Sequence, residues 1–171
     1  THAGITVGED GASHQTFEDI ALMRTIPGMT VINPSDGVSA KKLLEQAVAM
    51  EGSCYVRLGR AKVPVFYEDS DQLTLGRGNL VRDGKDVTIV ATGIMVSEAM
   101  AAAEKLKEDG IDARIIDIHT IKPIDEEILI KAAQETGAIV TAEEHSIIGG
   151  LGSAVAEVIV KNCPVKMAMV G

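Results

Sequence analysis

The sequence has no tryptophan, and its two tyrosines and two phenylalanines make up only 2% of its 171 residues. A surface that stacks single-stranded bases on aromatic rings is therefore not expected. Basic residues are also scarce, since 16 lysines and arginines stand against 25 aspartates and glutamates, for a net charge of −9. Charge alone therefore disfavours binding to nucleic acid or to an anionic membrane surface.

Cysteines and long apolar runs are equally rare. The two cysteines, Cys54 and Cys163, lie far apart and form no CxxC pair, which excludes a disulfide-dense scaffold and a cysteine-rich zinc site. This usage is typical of a reducing cytoplasm, and both thiols are expected in or near the core. No apolar run reaches the roughly 18 residues that a membrane span needs.

The two ends of the sequence do not resemble the ends of a domain. The chain begins at Thr1 without a methionine, and it stops directly after the apolar run 165–170. Because globular domains rarely begin and end flush with strands, we expect residues to be missing at both ends. The alternative is a small processed protein.

Helical and strand patterns alternate along the chain. In the first part we predict an opening strand and loop, a helix at 16–26, a strand at 29–32, a helix at 40–50 and a strand at 54–58. In the second part we predict strands at 87–91, 113–118, 138–141 and 165–170 and helices at 97–107, 125–136 and 151–161. This alternation predicts an α/β fold with crossover connections and a mainly parallel sheet covered by helices on both faces.

A stretch between the two parts lacks either periodicity. It is acidic and is marked by proline and glycine, which is typical of a linker. We therefore divide the chain into a first part at 1–63, a linker at 64–80 and a second domain at 81–171. We expect the first part to be an incomplete three-layer α/β domain.

Two motifs of the second domain are predicted to be structural. Gly149-Gly150-Leu151-Gly152 has the spacing G-G-x-G instead of G-x-G-x-x-G, which favours a helix start packed closely on a neighbour over a nucleotide site. Glu143-Glu144-His145 follows a strand, and adjacent side chains there point to opposite faces, so all three do not converge. Structural or interface use is therefore favoured for them, and also for His119.

The first fifteen residues carry more chemistry. Residues 8–15 place two carboxylates, two glycines and His14 in a loop ahead of a helix. Glycines permit close approach of the backbone to a ligand, and a histidine exchanges protons near neutral pH. His2 and Arg60 each lie at the end of a predicted strand, where they would face one crevice and suit a phosphate ester. The alternative is an exposed arginine beside a loop that caps a helix.

Residues 1–2 and 7–15 (T-H and V-G-E-D-G-A-S-H-Q) resemble the T-H…V-G-E-D-G-P-T-H-Q segment of transketolases, with Ala12-Ser13 in place of Pro-Thr. The other similar segments are 24–29, 34–37, 58–60, 90–93, 121–125 and 143–152. The resemblance covers almost the whole chain. It implies the tail of a pyrimidine-binding domain at 1–63 followed by a transketolase C-terminal domain at 81–171, as in the C-terminal subunit of split transketolases.

The resemblance also implies roles for four residues. His2 and Arg60 match residues that hold the phosphate of the sugar, and Asp10 matches an aspartate that binds a substrate hydroxyl. His14 matches the catalytic histidine that lies beside the aminopyrimidine of the cofactor and the carbonyl end of the donor. The activity implied is the transfer of a two-carbon ketol unit between phosphorylated sugars, in which the cofactor supplies the electron sink.

The implied cofactor is thiamine diphosphate with Mg²⁺. The family's activating glutamate and the aromatics around the pyrimidine belong upstream of Thr1, and the diphosphate and metal site belongs to another domain. The resemblance therefore implies no metal ligand in this chain and little activity without an N-terminal cofactor-binding domain or subunit. The assembly implied is a homodimer or a heterotetramer in the cytoplasm.

Three alternatives remain at this point. 1-Deoxyxylulose-5-phosphate synthases share the D-G-x-x-H-Q segment but usually have Asp-Arg-Ala-Gly where this chain has Thr1-His2-Ala3-Gly4, so His2 favours transketolase. The β subunits of 2-oxoacid dehydrogenases lack the G-E-D-G-x-x-H-Q string. A non-catalytic assembly or regulatory module is disfavoured by the retained set His2, Asp10, His14 and Arg60.

Overall fold

Two β-sheets organise residues 2–171, the part of the chain that the computed structural model describes. The elements of the first half are a 3-10 helix (Ile5–Asp10), α1 (Asp19–Thr25), β1 (Met29–Ile32), α2 (Gly37–Ala49) and β2 (Ser53–Val56). Those of the second half are β3 (Asn79–Arg82), β4 (Val87–Ala91), α3 (Met95–Glu108), β5 (Ala113–Asp117), β6 (Thr120–Lys122), α4 (Glu126–Thr136), β7 (Ala138–Ala142), α5 (Leu151–Asn162) and β8 (Lys166–Val170).

The larger sheet has the strand order β3-β5-β4-β7-β8. The pairs of β4 with β5, of β4 with β7 and of β7 with β8 are parallel, whereas β3 pairs antiparallel with β5. The central strand β4 is almost entirely apolar and buried, as a parallel strand covered on both faces must be. The predicted α/β fold with a mainly parallel second sheet is thereby confirmed.

The smaller sheet joins the two halves of the chain. Its order is β2-β1-β6, with β1 and β2 parallel and β6 antiparallel to β1. Strand β6 comes from the second half, and the backbone N–H of Asn33 extends this pairing by donating to His119 O at 2.8 Å. The largest core cluster also spans both halves, since Ile20 and Val31 pack with Val90 and Ile116.

Three local predictions differ from the structure. The opening strand is wrong, because His2 forms only an isolated bridge with Leu58 before the 3-10 helix begins. Strands β6 and β3 were not predicted, and β3 begins inside the predicted linker. Helix α1 begins at Asp19 instead of residue 16, since Phe17 is exposed and its carbonyl accepts from Ser146 N at 2.8 Å.

Both cysteines are free and half-buried, as expected for thiols near the core. Cys54 packs against the cluster around Ile32 and Leu43, and Cys163 packs against the largest cluster. None of the described helices has the length and apolar character needed to cross a membrane.

Asp36 ties the start of the linker to helix α2. Its Oδ1 accepts from Ser39 N at 2.8 Å and forms a capping box, while its Oδ2 accepts from Phe66 N at 3.0 Å and Tyr67 N at 2.9 Å. Burial alone would raise the pKa of this carboxyl, but the hydrogen bonds from Ser39, Tyr67 and Phe66 outweigh it and hold the pKa below its ordinary value. One carboxylate therefore fixes both a helix start and the linker.

Asp117 lies where both halves and the linker meet. Its Oδ2 accepts from Ser35 Oγ and from the Tyr67 hydroxyl, the latter at 3.0 Å, and its Oδ1 has no hydrogen-bond partner among residues 2–171. Burial raises the pKa of Asp117 to about 7, although the two hydroxyl donors act in the opposite direction. Below about pH 7 the neutral acid is thus the favoured form in the folded chain.

The raised pKa of Asp117 predicts a pH-dependent loss of stability. Because the folded state retains this proton above the unfolded pKa of about 4, stability falls as the pH rises towards 7. Relative to the wild type, we expect the free energy of unfolding of Asp117→Asn to rise by about 3 kcal/mol between pH 4.5 and pH 8. Urea unfolding of both proteins at the two pH values measures this gain, and an equal difference at both would contradict it.

Candidate functional site

The four residues singled out in the sequence come from three chain segments that meet at one end of the smaller sheet. His2 lies beside the end of β2, where it bridges Leu58, and Ala3 N donates to Leu58 O at 3.2 Å. Asp10 ends the 3-10 helix, and His14 follows four residues later. Arg60 lies four residues after the end of β2 and two after Leu58, so the bridge brings His2 close to it.

The structure places all four side chains together. The guanidinium of Arg60 forms an ion pair with the carboxylate of Asp10, and Asp10 Oδ2 lies 3.7 Å from His2 Nε2. The imidazole rings of His2 and His14 stack, with centroids 6.1 Å apart and planes inclined by 8°. Glu9 adds a second carboxylate 3.5 Å from Arg60 Nη2. We refer to His2, Asp10, His14 and Arg60 as the loop cluster.

Glycine geometry and Gln15 shape the loop that carries Asp10 and His14. Gly8 and Gly11 have φ values of 69° and 76°, in the left-handed region that disfavours other residues. The side-chain amide of Gln15 donates to the carbonyls of Ile5 at 3.3 Å and Gly8 at 3.0 Å. Hydrogen bonds between the loop's own residues therefore stabilise its conformation.

The loop cluster is open to solvent and is suited to a polar ligand. The side chains of Arg60 and His2 are 42% and 45% exposed, and Asp10 is 29% exposed. An arginine beside a histidine presents several N–H donors to an anionic group, while a carboxylate accepts from hydroxyls. The donors and the acceptor of this arrangement are thus suited to an anionic, hydroxyl-bearing ligand.

The imidazole of His14 is accessible for proton exchange with a bound molecule. Its ring is exposed, and its Nδ1 lies 3.0 Å from the hydroxyl of the neighbouring Ser13. That hydroxyl can donate to or accept from Nδ1, so either neutral tautomer is accommodated.

Arg57, three residues before Arg60, forms a buried ion pair with Asp19 that was not predicted from the sequence. The side chain of Arg57 is only 2% exposed, and its Nε donates to Asp19 Oδ2 at 2.9 Å. The hydroxyl of Tyr55 donates to the same oxygen at 2.8 Å. The sequence offers one indication, since an arginine inside the otherwise apolar run 54–58 needs a buried partner.

Glu143 and His145 are structural, as predicted. The carboxylate of Glu143 caps helix α5 by accepting from Leu151 N at 2.6 Å and Gly152 N at 2.8 Å. Burial raises the pKa of Glu143, and these two backbone donors oppose the rise. His145 Nε2 accepts from Ile20 N at 3.2 Å, and its Nδ1 lies 2.7 Å from Ser146 O, so the ring is protonated on Nδ1.

The glycine-rich loop before α5 also behaves as predicted. A Cβ at Gly149 would lie 2.7 Å from the Cβ of Ala21, and one at Gly152 would lie 2.9 Å from Met169 Sδ. These glycines therefore permit close packing. The N-terminus of α5, where an anionic ligand would bind, is filled by the chain's own Glu143.

His119 is likewise part of the interior. Burial lowers its pKa to about 4, and its ring nitrogens lie 3.0 Å from Thr120 Oγ1 and 3.2 Å from Asn79 Oδ1. Across residues 2–171, no group of three or more histidine, cysteine, aspartate or glutamate side chains is arranged to hold a metal ion.

Comparisons with known proteins identify the family. The family models described as "Transketolase, C-terminal domain" and "Transketolase, pyrimidine binding domain" match residues 76–170 and 1–65. The chain therefore belongs to the transketolase family.

Relatives from several sources share this likeness. A putative transketolase C-terminal section from Methanocaldococcus jannaschii is 53% identical over 95% of this chain and 51% of that protein. The 6-deoxy-6-sulfo-D-fructose transketolase subunit SqwH of Clostridium sp. (strain MSTE9) is 48% identical over 98% of this chain and 52% of that protein. A solved structure described as "Split gene transketolase, inactive beta4 tetramer" is 49% identical, with a TM-score of 0.93 over 99% of this chain and 55% of its own. The chain thus spans about half the length of these relatives.

Proposed function

We propose that this chain is part of a transketolase that transfers a two-carbon ketol unit from a ketose phosphate to an aldose phosphate. The observation that carries the proposal is the loop cluster, which gathers the four residues implied by the family resemblance at one solvent-exposed place. The likeness to transketolase sections and subunits over nearly the whole chain supports it.

The proposed roles follow from the chemistry of each side chain. Arg60 and His2 bind the terminal phosphate of the sugar, and this remote binding energy orients the reacting end. Asp10, which holds Arg60 in the structure, accepts from a sugar hydroxyl when the ligand is present. His14 moves protons at the carbonyl end of the donor.

The proposed cofactor is thiamine diphosphate with Mg²⁺, and this chain fits one side of it only. The exposed imidazole of His14 lies on a glycine-marked loop where a flat ring can approach, and it would contact the aminopyrimidine. When bound, the cofactor supplies the carbanion and the electron sink for carbon–carbon bond cleavage. We assign the diphosphate and the metal to another domain or subunit.

The proposed partner is an N-terminal, cofactor-binding domain or subunit. The chain spans about half of SqwH, which is named as a subunit, and about half of a split-gene transketolase described as an inactive beta4 tetramer. These relatives support a chain that is inactive alone and that becomes active in a dimer or heterotetramer. The two free cysteines fit a cytoplasmic location.

A donor-choice assay tests the proposed function. The parent polypeptide is mixed with its cofactor-binding subunit, thiamine diphosphate and Mg²⁺. One reaction contains xylulose 5-phosphate with ribose 5-phosphate, and the other contains pyruvate with glyceraldehyde 3-phosphate. We expect sedoheptulose 7-phosphate in the first reaction only. Deoxyxylulose phosphate in the second would indicate a deoxyxylulose-phosphate synthase, and no product in either would indicate a non-catalytic module.

A further inference from the structure

Glu144 of the second half reaches into the segment that carries the loop cluster. Its side chain is 8% exposed, and its Oε1 accepts from the backbone N–H of Thr6 at 2.6 Å. Thr6 lies in the first turn of the 3-10 segment Ile5–Asp10, which is kinked at Gly8 before it reaches Asp10. A carboxylate from a residue 138 positions away in sequence therefore holds the first turn of this short helix.

Gly4 shows how closely Glu144 approaches the backbone. The φ of Gly4 is 101°, and a Cβ at this position would overlap the carboxylate of Glu144. Gly4 N also donates to Thr16 O at 2.8 Å, on the far side of the loop. Gly4 is thus held between the carboxylate of Glu144 and the backbone of Thr16.

Arg57 fixes Glu144 in turn. Arg57 Nη2 donates to the backbone carbonyl of Glu144 at 2.8 Å, and Nη1 lies 3.9 Å from Glu144 Oε2. Arg57 is nearly fully buried and lies three residues before Arg60 on the same chain segment. The contacts of Glu144 therefore link the segment before Asp10 to the segment before Arg60.

We propose that Glu144 is a positioning residue for substrate binding, which sets the place of Asp10 relative to Arg60 from the second half of the chain. The inference rests on the proposed transketolase function. Glu144 does not belong to the loop cluster, and it acts through Thr6 and Arg57. The side-chain contacts of Glu144 run to Thr6 and Arg57, which precede Asp10 and Arg60, and not to the loop position of His14, so binding should depend on Glu144 more than the chemical step does.

Glu143 provides a matched control. It is the adjacent residue, it has the same side chain, and its carboxylate also accepts from backbone N–H groups, those of Leu151 and Gly152. Those groups belong to α5, so Glu143→Ala removes a helix cap without altering the contacts of Thr6. A general loss of stability in the second half would affect both alanine variants alike.

The experiment measures KM and kcat of the assembled enzyme with a ketose phosphate and an aldose phosphate. We expect Glu144→Ala to raise KM by about tenfold or more while kcat stays within about threefold, because misplacement of a binding group reduces mainly binding. Glu144→Gln keeps an oxygen for Thr6 N, and its KM should lie within about threefold of the wild type. Glu143→Ala should leave KM unchanged.

Equal values of KM for Glu144→Ala and Glu143→Ala would overturn the inference. A fall in kcat of Glu144→Ala without a rise in KM would overturn it as well. If Glu144→Ala does not fold, Glu144→Asp tests the same contact, because its shorter side chain withdraws the oxygen from Thr6 N. We then expect a tenfold rise of KM in Glu144→Asp.

No transfer by the wild-type assembly would instead refute the proposed function. Hydrogen exchange of the Thr6 amide in the full chain then decides the positioning role: we expect faster exchange in Glu144→Ala than in Glu143→Ala, and equal rates would overturn it.

Discussion

Arg60→Ala in the assembled enzyme is expected to raise KM for a phosphorylated acceptor about 30- to 100-fold, while KM for unphosphorylated glycolaldehyde changes by less than about threefold. A charge-assisted hydrogen bond of about 2–3 kcal/mol corresponds to this ratio. Arg60 lies in the loop cluster beside His2 and Asp10, and its side chain is accessible to a ligand. Initial rates with ribose 5-phosphate and with glycolaldehyde as acceptors measure the two constants.

The comparison of the two acceptors separates binding from local disorder. Removing Arg60 also releases Asp10 from its ion pair, and that release would affect both acceptors equally. Arg77→Ala is the control, because Arg77 is also an exposed arginine paired with acids, Glu127 at 2.7 Å and Asp125 at 3.6 Å, in the second half. Equal losses for both acceptors in Arg60→Ala would show that Arg60 does not bind phosphate.

The largest effect on stability is expected at Arg57. Arg57→Met should lower the free energy of unfolding by about 3–5 kcal/mol, because it leaves a buried carboxylate without its cationic partner. Asp19 is buried, and one of its oxygens already lacks a hydrogen-bond partner among residues 2–171. Urea unfolding of the full chain, followed by circular dichroism, measures the loss.

A double-mutant cycle identifies the cause. The double variant Arg57→Met with Asp19→Leu removes both charges of this ion pair and leaves neither one uncompensated. Its loss in free energy of unfolding should therefore be smaller than the sum of the losses of the two single variants. Arg77→Met, at an exposed position, should leave the free energy of unfolding almost unchanged. Additive losses in the cycle would mean that Arg57 stabilises the chain by packing and not by its charge.

The alternating fold was predictable because its information is local. Strand β4 is a continuous apolar run, and α4 has Asp125 as its cap and Gly137 at its end, so a short window of sequence defines each element. Strand β6 has three residues and no such pattern. These residues form a strand only because they pair with the free edge of β1, and that pairing depends on the tertiary fold.

The loop cluster and Glu144, which contacts its segment, also differ in how far they could be predicted from the sequence. His2, Asp10, His14 and Arg60 could be predicted as site residues because their motifs resemble those of a known family and because glycines mark the loop. Glu144 was assigned only a general structural or interface use, and its contact with Thr6 depends on the packing of distant segments. Residues that touch a ligand leave a recognisable local pattern, whereas residues that position them are visible only once the chain has folded.

Strand β6 also determines how this protein can be recombined with its relatives. A chimaera joined in the linker would combine β1 of one parent with β6 of another, across a pairing that includes Val31 with Lys122 and Ile32 with Thr120. Residues 118–123 therefore belong with residues 1–63 as an inherited unit, although they are separated in sequence. The unit to exchange between relatives is the set of residues that share a sheet. In this chain that set is discontinuous in sequence.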